Sequence, residues 1–227
     1  NMKRRLLSAF LAVMMVLTMA PVAFAADGGE ADSSTAVAKI GDEEYSTLQA
    51  AVDAAKSGNT VQLVADTKEN VTISKQAIVL DLNGYTLNGG TQAGKPALTI
   101  NNKKVTIKDT SEAKTGTIKR EDTAESSAKQ GAHYVIDIQG NYGILIFESG
   151  NVKNDSGTKD CLKGASLIRL GNDQVSGAYP TLTIKDGTFT QNRFVAIKVD
   201  RGTLHFTGGT VNCSDSYAIE NWNNAYI

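Results

Sequence analysis

The chain has 227 residues, of which 23 are Lys or Arg and 24 are Asp or Glu. This balance leaves no basic stripe of the kind that binds nucleic acid, and two cysteines are too few for a disulfide scaffold. Frequent glycine (21 residues) with scarce proline (3 residues) suits short strands that are separated by tight turns.

The first 25 residues have the features of a secretory signal peptide. Residues 3–5 are basic, residues 6–20 are almost wholly apolar, and Ala-Phe-Ala at 23–25 matches the small-x-small pattern of a cleavage site. The apolar run of about 15 residues is shorter than the ~20 that a membrane-spanning helix needs. We therefore favour cleavage after Ala25 over a retained membrane anchor. The mature chain is expected to be secreted or displayed at the cell surface, with no membrane segment.

Residues 26–36 are small, polar and acidic, and they predict a flexible linker. A strand at 37–40 follows, and then an amphipathic helix at about 47–57. Its predicted start is a capping box in which Ser46 and Gln49 satisfy each other's amides. Its predicted end is Gly58, a residue suited to a left-handed C-cap.

From about residue 60 a three-part repeat replaces the helical period. Each unit has an apolar-x-apolar strand, a short turn, a second such strand, and then a glycine that leads into a third. Residues 98–100, 105–107 and 116–118 form one unit. Five units can be traced, and a sixth opens near Ile219. Because the chain stops inside that unit, we expect the domain at 37–227 to be truncated at its C-terminal end.

Strands this short cannot bury their apolar faces alone, so neighbouring units are expected to stack in parallel. Equivalent apolar residues would then form inward columns. In the first strands the predicted column is Ile73, Ile100, Ile138, Leu170 and Val199. In the second strands the predicted columns are Val105, Ile144, Leu182, Leu204 and Ile107, Ile146, Ile184, Phe206. In the third strands the predicted column is Leu87, Ile118, Val152, Phe189 and Val211.

The predicted fold is therefore all-β: a right-handed, single-stranded parallel β-helix, or solenoid, with an N-terminal capping α-helix. The alternative is an antiparallel sandwich, which also uses short alternating strands. A sandwich does not predict that the same three-part unit recurs.

The N-terminal part of this domain carries a resemblance. The marks are Tyr-x-Thr-Leu-Gln-x-Ala-Val at 45–52, Gly-x-Thr-Val at 58–61 and Leu-Asp-Leu-Asn-Gly-Tyr-Thr-Leu at 80–87. They are similar to the cap and first coils of the pectate-lyase-like parallel β-helix superfamily. Within it, the chain resembles uncharacterised secreted or surface, adhesin-like proteins of Gram-positive gut-type bacteria. The resemblance implies the fold, with a helix that covers the open end, but no activity, because this superfold hosts lyases, hydrolases and adhesins.

One outward column carries charge. The middle residues of the successive first strands are Thr72, Thr99, Asp137, Arg169, Lys198 and Glu220. One interpretation is a groove that binds or cuts a glycan, and the other is a ladder of ion pairs on a solvated face. The candidate binding face comprises Asp137, Arg169, Lys198, Glu220 and, from an Asn-Trp-Asn-Asn segment, Trp222. We assign no residue a catalytic role, and the sequence predicts neither a metal site nor a cofactor.

Two functions are consistent with these patterns. The first is an exported, monomeric, non-catalytic module that binds an extracellular polysaccharide or host glycan, or serves as a spacer. The second is a polysaccharide lyase or glycoside hydrolase that uses the charged column. Cys161 and Cys213 could form a disulfide in an exported protein, but only if the insertion that carries Cys161 folds back.

Overall fold

The computed structural model describes residues 35–89, 95–121, 134–154, 166–191, 194–214, 216–222 and 225–227. The predicted signal peptide, nearly all of the predicted linker and Cys161 lie outside these residues. Within the described ranges, no helix has both the length and the apolar character needed to cross a membrane.

One short helix and 21 strands make up the described fold. The helix is α1 (Leu48–Ala54). In chain order the strands are β1 (Ala38–Ile40), β2 (Glu43–Tyr45), β3 (Thr60–Leu63), β4 (Thr67–Lys68), β5 (Val71–Ile73), β6 (Ile78–Asp81), β7 (Thr86–Asn88), β8 (Leu98–Asn101), β9 (Lys104–Lys108), β10 (Thr117–Arg120), β11 (Ile136–Gln139), β12 (Ile144–Phe147), β13 (Asn151–Asn154), β14 (Ile168–Leu170), β15 (Thr181–Ile184), β16 (Thr188–Gln191), β17 (Ile197–Val199), β18 (Gly202–Phe206), β19 (Thr210–Cys213), β20 (Ile219–Asn221) and β21 (Ala225–Tyr226).

The strands form three sheets in which every third strand of the repeat returns to the same sheet. The first sheet has the order β2-β1-β3-β6-β9-β12-β15-β18-β21, the second β4-β7-β10-β13-β16-β19, and the third β5-β8-β11-β14-β17-β20. Neighbours pair in parallel throughout, apart from the antiparallel pairs that β1 makes with β2 and β3. This topology confirms the stacked three-part repeat, as in a solenoid, and excludes the antiparallel sandwich.

The predicted columns of the third and second sheets are confirmed residue by residue. Ile100 pairs with Ile73 below it and with Ile138 above it. In the second sheet, Ile118 pairs with Leu87 and Val152. These side chains are fully buried and belong to one continuous apolar core, so the inward residues of each unit rest on their equivalents in the next.

The two predicted columns of the first sheet are each wrong by one residue in the third unit, and Phe206, although in register with Ile184, is exposed and not buried. Leu145 and Phe147 lie in the core, in register with Val105 and Ile107, whereas Ile144 and Ile146 point outward and are half-buried. The sequence Ile-Leu-Ile-Phe is apolar at every position, so alternation could not choose the face. Packing in the core determines which face points inward, because the Phe147 ring packs against the Phe189 ring with centroids 5.0 Å apart.

Helix α1 is shorter than predicted and has a different cap. The N-cap is Thr47, whose side chain accepts a hydrogen bond from the Ala50 amide, and the helix ends at Ala54. The predicted capping box at Ser46 is therefore wrong. Gly58 does adopt a positive φ of 84°, but in the turn before β3 and not as the helix cap.

Two side chains connect the helix to the start of the third sheet: Gln49 of the helix, which binds β5, and Glu69, which lies two residues before β5. The Gln49 side chain accepts from the Thr72 amide at 2.8 Å and donates to the Thr72 carbonyl at 3.1 Å, in the manner of a neighbouring strand. The Glu69 carboxylate accepts from the amides of Leu48 and Gln49 at 2.8 and 3.0 Å. These contacts satisfy backbone groups at the edge strand β5 and at the helix N-terminus, which would otherwise need water.

A buried carboxylate organises the corner between the first and second sheets. Asp109 is almost fully buried and accepts hydrogen bonds from the amides of Gly84, Ser111 and Gly116, at 2.9, 3.0 and 2.6 Å. Burial alone would raise the pKa of Asp109, but these hydrogen bonds outweigh burial and hold the pKa below its ordinary value. The ionised carboxylate thus ties two successive units together.

We expect Asp109→Asn to lower the free energy of unfolding at pH 7 by about 1–3 kcal/mol, because the amide nitrogen would leave a buried N–H group without an acceptor. Since the folded pKa is depressed, the stabilisation is complete above the unfolded pKa and is lost as the pH falls through the folded value. Urea unfolding between pH 7 and pH 3 should therefore show a steeper acid loss in the wild type than in the variant.

The control is Asp186→Asn, at the equivalent corner of a later unit. Asp186 is exposed and accepts only from the amide of Gly187 among the hydrogen bonds of the described residues, so its replacement should change stability by less than about 0.5 kcal/mol. Equal losses in both variants, or parallel pH profiles for Asp109→Asn and wild type, would contradict this role of Asp109.

Candidate binding face on the third sheet

The charged column predicted from the sequence exists in the predicted register. On the outward face of the third sheet, Asp137 pairs with Thr99 and Arg169, and Lys198 pairs with Arg169 and Glu220. Parallel pairing places these side chains at the spacing of neighbouring strands, about 4.8 Å. The structure therefore brings together all four charged residues of the candidate face.

Asp137 and Arg169 form a bidentate ion pair. Arg169 Nε lies 2.9 Å from Asp137 Oδ1, and Arg169 Nη2 lies 2.6 Å from Oδ2. Gln139 also donates to Oδ2, at 2.5 Å. The side chains of Asp137 and Arg169 are only 4% and 17% exposed. Both carboxylate oxygens are thus occupied in a poorly hydrated setting, where paired charges are held far more firmly than on an open surface.

Tyr134 covers the guanidinium of this pair. The Arg169 Cζ atom lies 4.5 Å from the centroid of the Tyr134 ring, a cation–π contact. Burial raises the pKa of Tyr134, against a smaller lowering by Arg169 and Lys198. Burial tends to lower the pKa of Arg169, but Asp137 outweighs burial and raises it. Both groups therefore keep their ordinary charge state at neutral pH.

Lys198 pairs with a carboxylate that the predicted column does not include. Its Nζ atom lies 2.8 Å from Oδ1 of the buried Asp200, two residues along the chain. Burial tends to lower the pKa of Lys198, but the bond to Asp200 outweighs burial and raises it. Among the described residues there is no ion pair between Lys198 and Glu220. The predicted ladder is therefore realised between Asp137 and Arg169 but does not continue beyond them.

Trp222 and Glu220 form the more open end of the face. The Trp222 ring is 48% exposed, and Lys198 Nζ lies 5.5 Å from its centroid. The Trp222 amide donates to the Val199 carbonyl, which continues the pairing of β20 with β17. Glu220 is half-buried beside Lys198. This end offers an aromatic face, a partly exposed ammonium group and a carboxylate.

Three residues of the face were missed by sequence reasoning: Tyr134, Gln139 and Asp200. Gln139 and Asp200 lie two residues after Asp137 and Lys198, and alternation in a strand places such residues on one face. That signal was available in the sequence. Tyr134 lies outside the repeat, so no sequence pattern indicates its contact with Arg169.

The chemistry of the face is that of a neutralised, preorganised surface. A general base must be within reach of a substrate proton, whereas the Asp137 carboxylate accepts three hydrogen bonds and its side chain is only 4% exposed. Within the described ranges, no three His, Cys, Asp or Glu side chains converge closely enough to hold a metal ion. What remains accessible is the aromatic and polar surface around Trp222.

Cys213 is a half-buried thiol in the second sheet. Its Sγ atom lies 3.2 Å from the carbonyl oxygen of Phe194, to which it donates a weak hydrogen bond. The predicted partner, Cys161, lies outside the described residues, so a disulfide between them stays a prediction.

Comparisons of the chain with protein-family models, with curated proteins and with solved structures find no match.

Proposed function

We propose that this chain is an exported cell-surface module, a right-handed parallel β-helix that binds an extracellular glycan without cleaving it. The signal-peptide pattern at 1–25 supports export. A right-handed coil is supported because crossover connections between parallel strands of one sheet are almost always right-handed. The repeated sheets support a binding role, because a solenoid presents long, regular faces to an extended partner.

The observation that carries the proposal is the buried pair of Asp137 and Arg169. An acid and a base on neighbouring strands would suit a lyase or a hydrolase if either were free to exchange protons. Here each neutralises the other, and Tyr134 covers the guanidinium. The exposed end, with Lys198, Glu220 and Trp222, can contact a sugar but offers no pair of carboxylates poised across a glycosidic bond.

The test is a panel of glycans that includes pectin, hyaluronan, mucin glycans and neutral plant polysaccharides. The wild-type chain is expected to bind at least one of them and to release neither reducing ends nor unsaturated products. Lys198→Ala and Trp222→Ala are each expected to weaken that binding several-fold, because each removes one contact of the exposed end.

The matched control is Lys185→Ala. Lys185 is an exposed lysine that directly follows β15 of the first sheet and pairs with Glu148, which directly follows β12, so its loss should leave binding at the third sheet unchanged. Cleavage products that disappear in Arg169→Ala would contradict the non-catalytic proposal. Failure to bind any glycan of the panel would contradict the binding role.

A further inference from the structure

The outward face of the first sheet carries an uncharged stripe that lies outside the core. Its central column runs through Val79, Thr106, Ile146 and Thr183, which pair in register on β6, β9, β12 and β15. Ile144 lies two residues before Ile146, on the same face of β12. Val79, Ile144 and Ile146 are half-buried, and none of them belongs to the core cluster. We call these five residues the first-sheet stripe.

The first-sheet stripe has the character of a contact surface. Scattered single apolar residues are ordinary on protein surfaces. Here two isoleucines adjoin on one strand, and Thr106, which carries a methyl group, lies in register between Ile146 and Val79. A contiguous apolar patch that is bordered by polar residues is typical of a contact with another protein.

Charged residues of alternating sign border the stripe on one side. Asp81 pairs with Lys108 in register, at the ends of β6 and β9. Glu148 and Lys185 continue this column, because each directly follows its strand in the same register. The order along the stack is therefore negative, positive, negative, positive, at about 4.8 Å per step.

The charges of this column are satisfied to different degrees. Asp81 is almost fully buried, and its carboxylate accepts hydrogen bonds from the amide and the hydroxyl group of Thr110. Glu148 and Lys185 form an ion pair of 3.0 Å with each other, and the Glu148 side chain is 39% exposed. Lys108 makes no ion pair with any residue of the described ranges. The border thus holds one ammonium group that lacks a carboxylate partner, beside an accessible carboxylate.

A second copy of the chain can supply the missing partner. A two-fold axis that is parallel to the strands and passes between β9 and β12 brings two first sheets face to face, and it reverses the order of the strands in one of them. An alternating series of four charges is its own complement when it is read in reverse. Lys108 of each copy then faces Glu148 of the other copy, and Ile146 faces Thr106.

We propose that the first-sheet stripe is the interface of a two-fold dimer of this chain. The stripe and its charged border carry their own complement, which favours a second copy over an unrelated protein. Five strands at about 4.8 Å and four residues at about 3.3 Å give roughly 300 Å² of sheet face. This area is well below the ~800 Å² per partner of a stable interface, so the dimer is expected to be weak. The proposal revises the monomer that the sequence predicted, and it does not depend on glycan binding, because no residue of the third sheet takes part.

The experiment is sedimentation velocity of the whole chain in a concentration series that extends to about 1 mM. We expect the weight-average sedimentation coefficient of the wild type to rise with concentration. Lys108→Glu and Glu148→Lys should each weaken the association by at least about 10-fold, because each substitution places two like-charged pairs in the symmetric interface. Far-UV circular dichroism checks that both variants fold.

A mixture of the two variants separates a contact between copies from an effect within one chain. In a dimer with one copy of each variant, both contacts between positions 108 and 148 again join opposite charges. The equimolar mixture should therefore associate about as strongly as the wild type, although neither variant does so alone. The matched control is Lys75→Glu, a charge reversal at an exposed lysine that pairs with Asp53 of α1, and it should leave association unchanged.

Three outcomes would overturn this interface. Sedimentation as a monomer at every concentration would exclude the dimer. Unchanged association in both charge variants, or no recovery in their mixture, would show that the copies meet through another surface. Association that is lost in Trp222→Ala but kept in the charge variants would assign the contact to the third sheet instead.

Discussion

Replacing Asp137 by alanine is expected to lower the free energy of unfolding by about 3–5 kcal/mol. In the wild type the Arg169 side chain is only 17% exposed and lies beneath Tyr134. The substitution leaves its guanidinium without a carboxylate partner. An uncompensated buried charge costs far more than the ion pair itself contributes. Denaturant unfolding of the purified chain at neutral pH measures the difference, with an unchanged m-value as the sign that the folded state is retained.

Two further variants identify the cause of that loss. Asp137→Leu combined with Arg169→Met removes both charges and should recover most of the stability, because an apolar pair of similar volume replaces an ion pair at little net cost. Glu148→Ala breaks the exposed pair with Lys185, at the ends of two strands of the first sheet, and should cost about 1 kcal/mol or less. A double variant as unstable as Asp137→Ala would refute the explanation by unpaired charge.

Replacing Phe147 by alanine should cost about 3–5 kcal/mol, whereas Ile146→Ala should cost roughly 1 kcal/mol or less. Phe147 is fully buried and its ring packs against Phe189, so truncation opens a cavity between two sheets. Ile146 lies on the outward face of the same strand. Thermal or urea unfolding of the two single variants compares adjacent residues of one strand directly.

This comparison tests the register of β12. The register inferred from sequence alternation placed Ile144 and Ile146 in the core, and under it Ile146→Ala would be the costly change. A larger loss in Ile146→Ala than in Phe147→Ala would restore that register. Leu145→Ala supplies an independent check, because Leu145 lies in the core between Val105 and Leu182. This substitution should also lower the free energy of unfolding, by about 2–5 kcal/mol.

Sequence predicted the architecture well because the repeat is redundant. Each unit carries the same apolar-x-apolar pattern three times, so an error in one strand does not disturb the alignment of the others. The columns through Ile100 and Ile118 were confirmed for this reason. Prediction failed where the local pattern had no alternation, as in residues 144–147, and at the helix start, where Ser46 and Thr47 could both serve as the cap.

The candidate site was predicted in its register but not in its chemistry. Alternation placed Asp137, Arg169, Lys198 and Glu220 in one outward column, and the structure confirms that column. Which charges pair across strands depends on distances and burial that no single strand encodes. Tyr134 covers Arg169 because the fold brings the two within reach, whereas Lys198 pairs with Asp200, only two positions further along the chain.

By itself, the sequence determined that the chain is built from repeated three-strand units, and which face of most strands is apolar, because side-chain alternation is a local property of the backbone. Only the tertiary structure decided that Asp137 and Arg169 neutralise each other, and that Phe147 and not Ile146 fills the core. Those outcomes depend on how neighbouring units stack, and stacking joins residues that are distant in the chain, such as Asp137 and Arg169, which lie 32 positions apart.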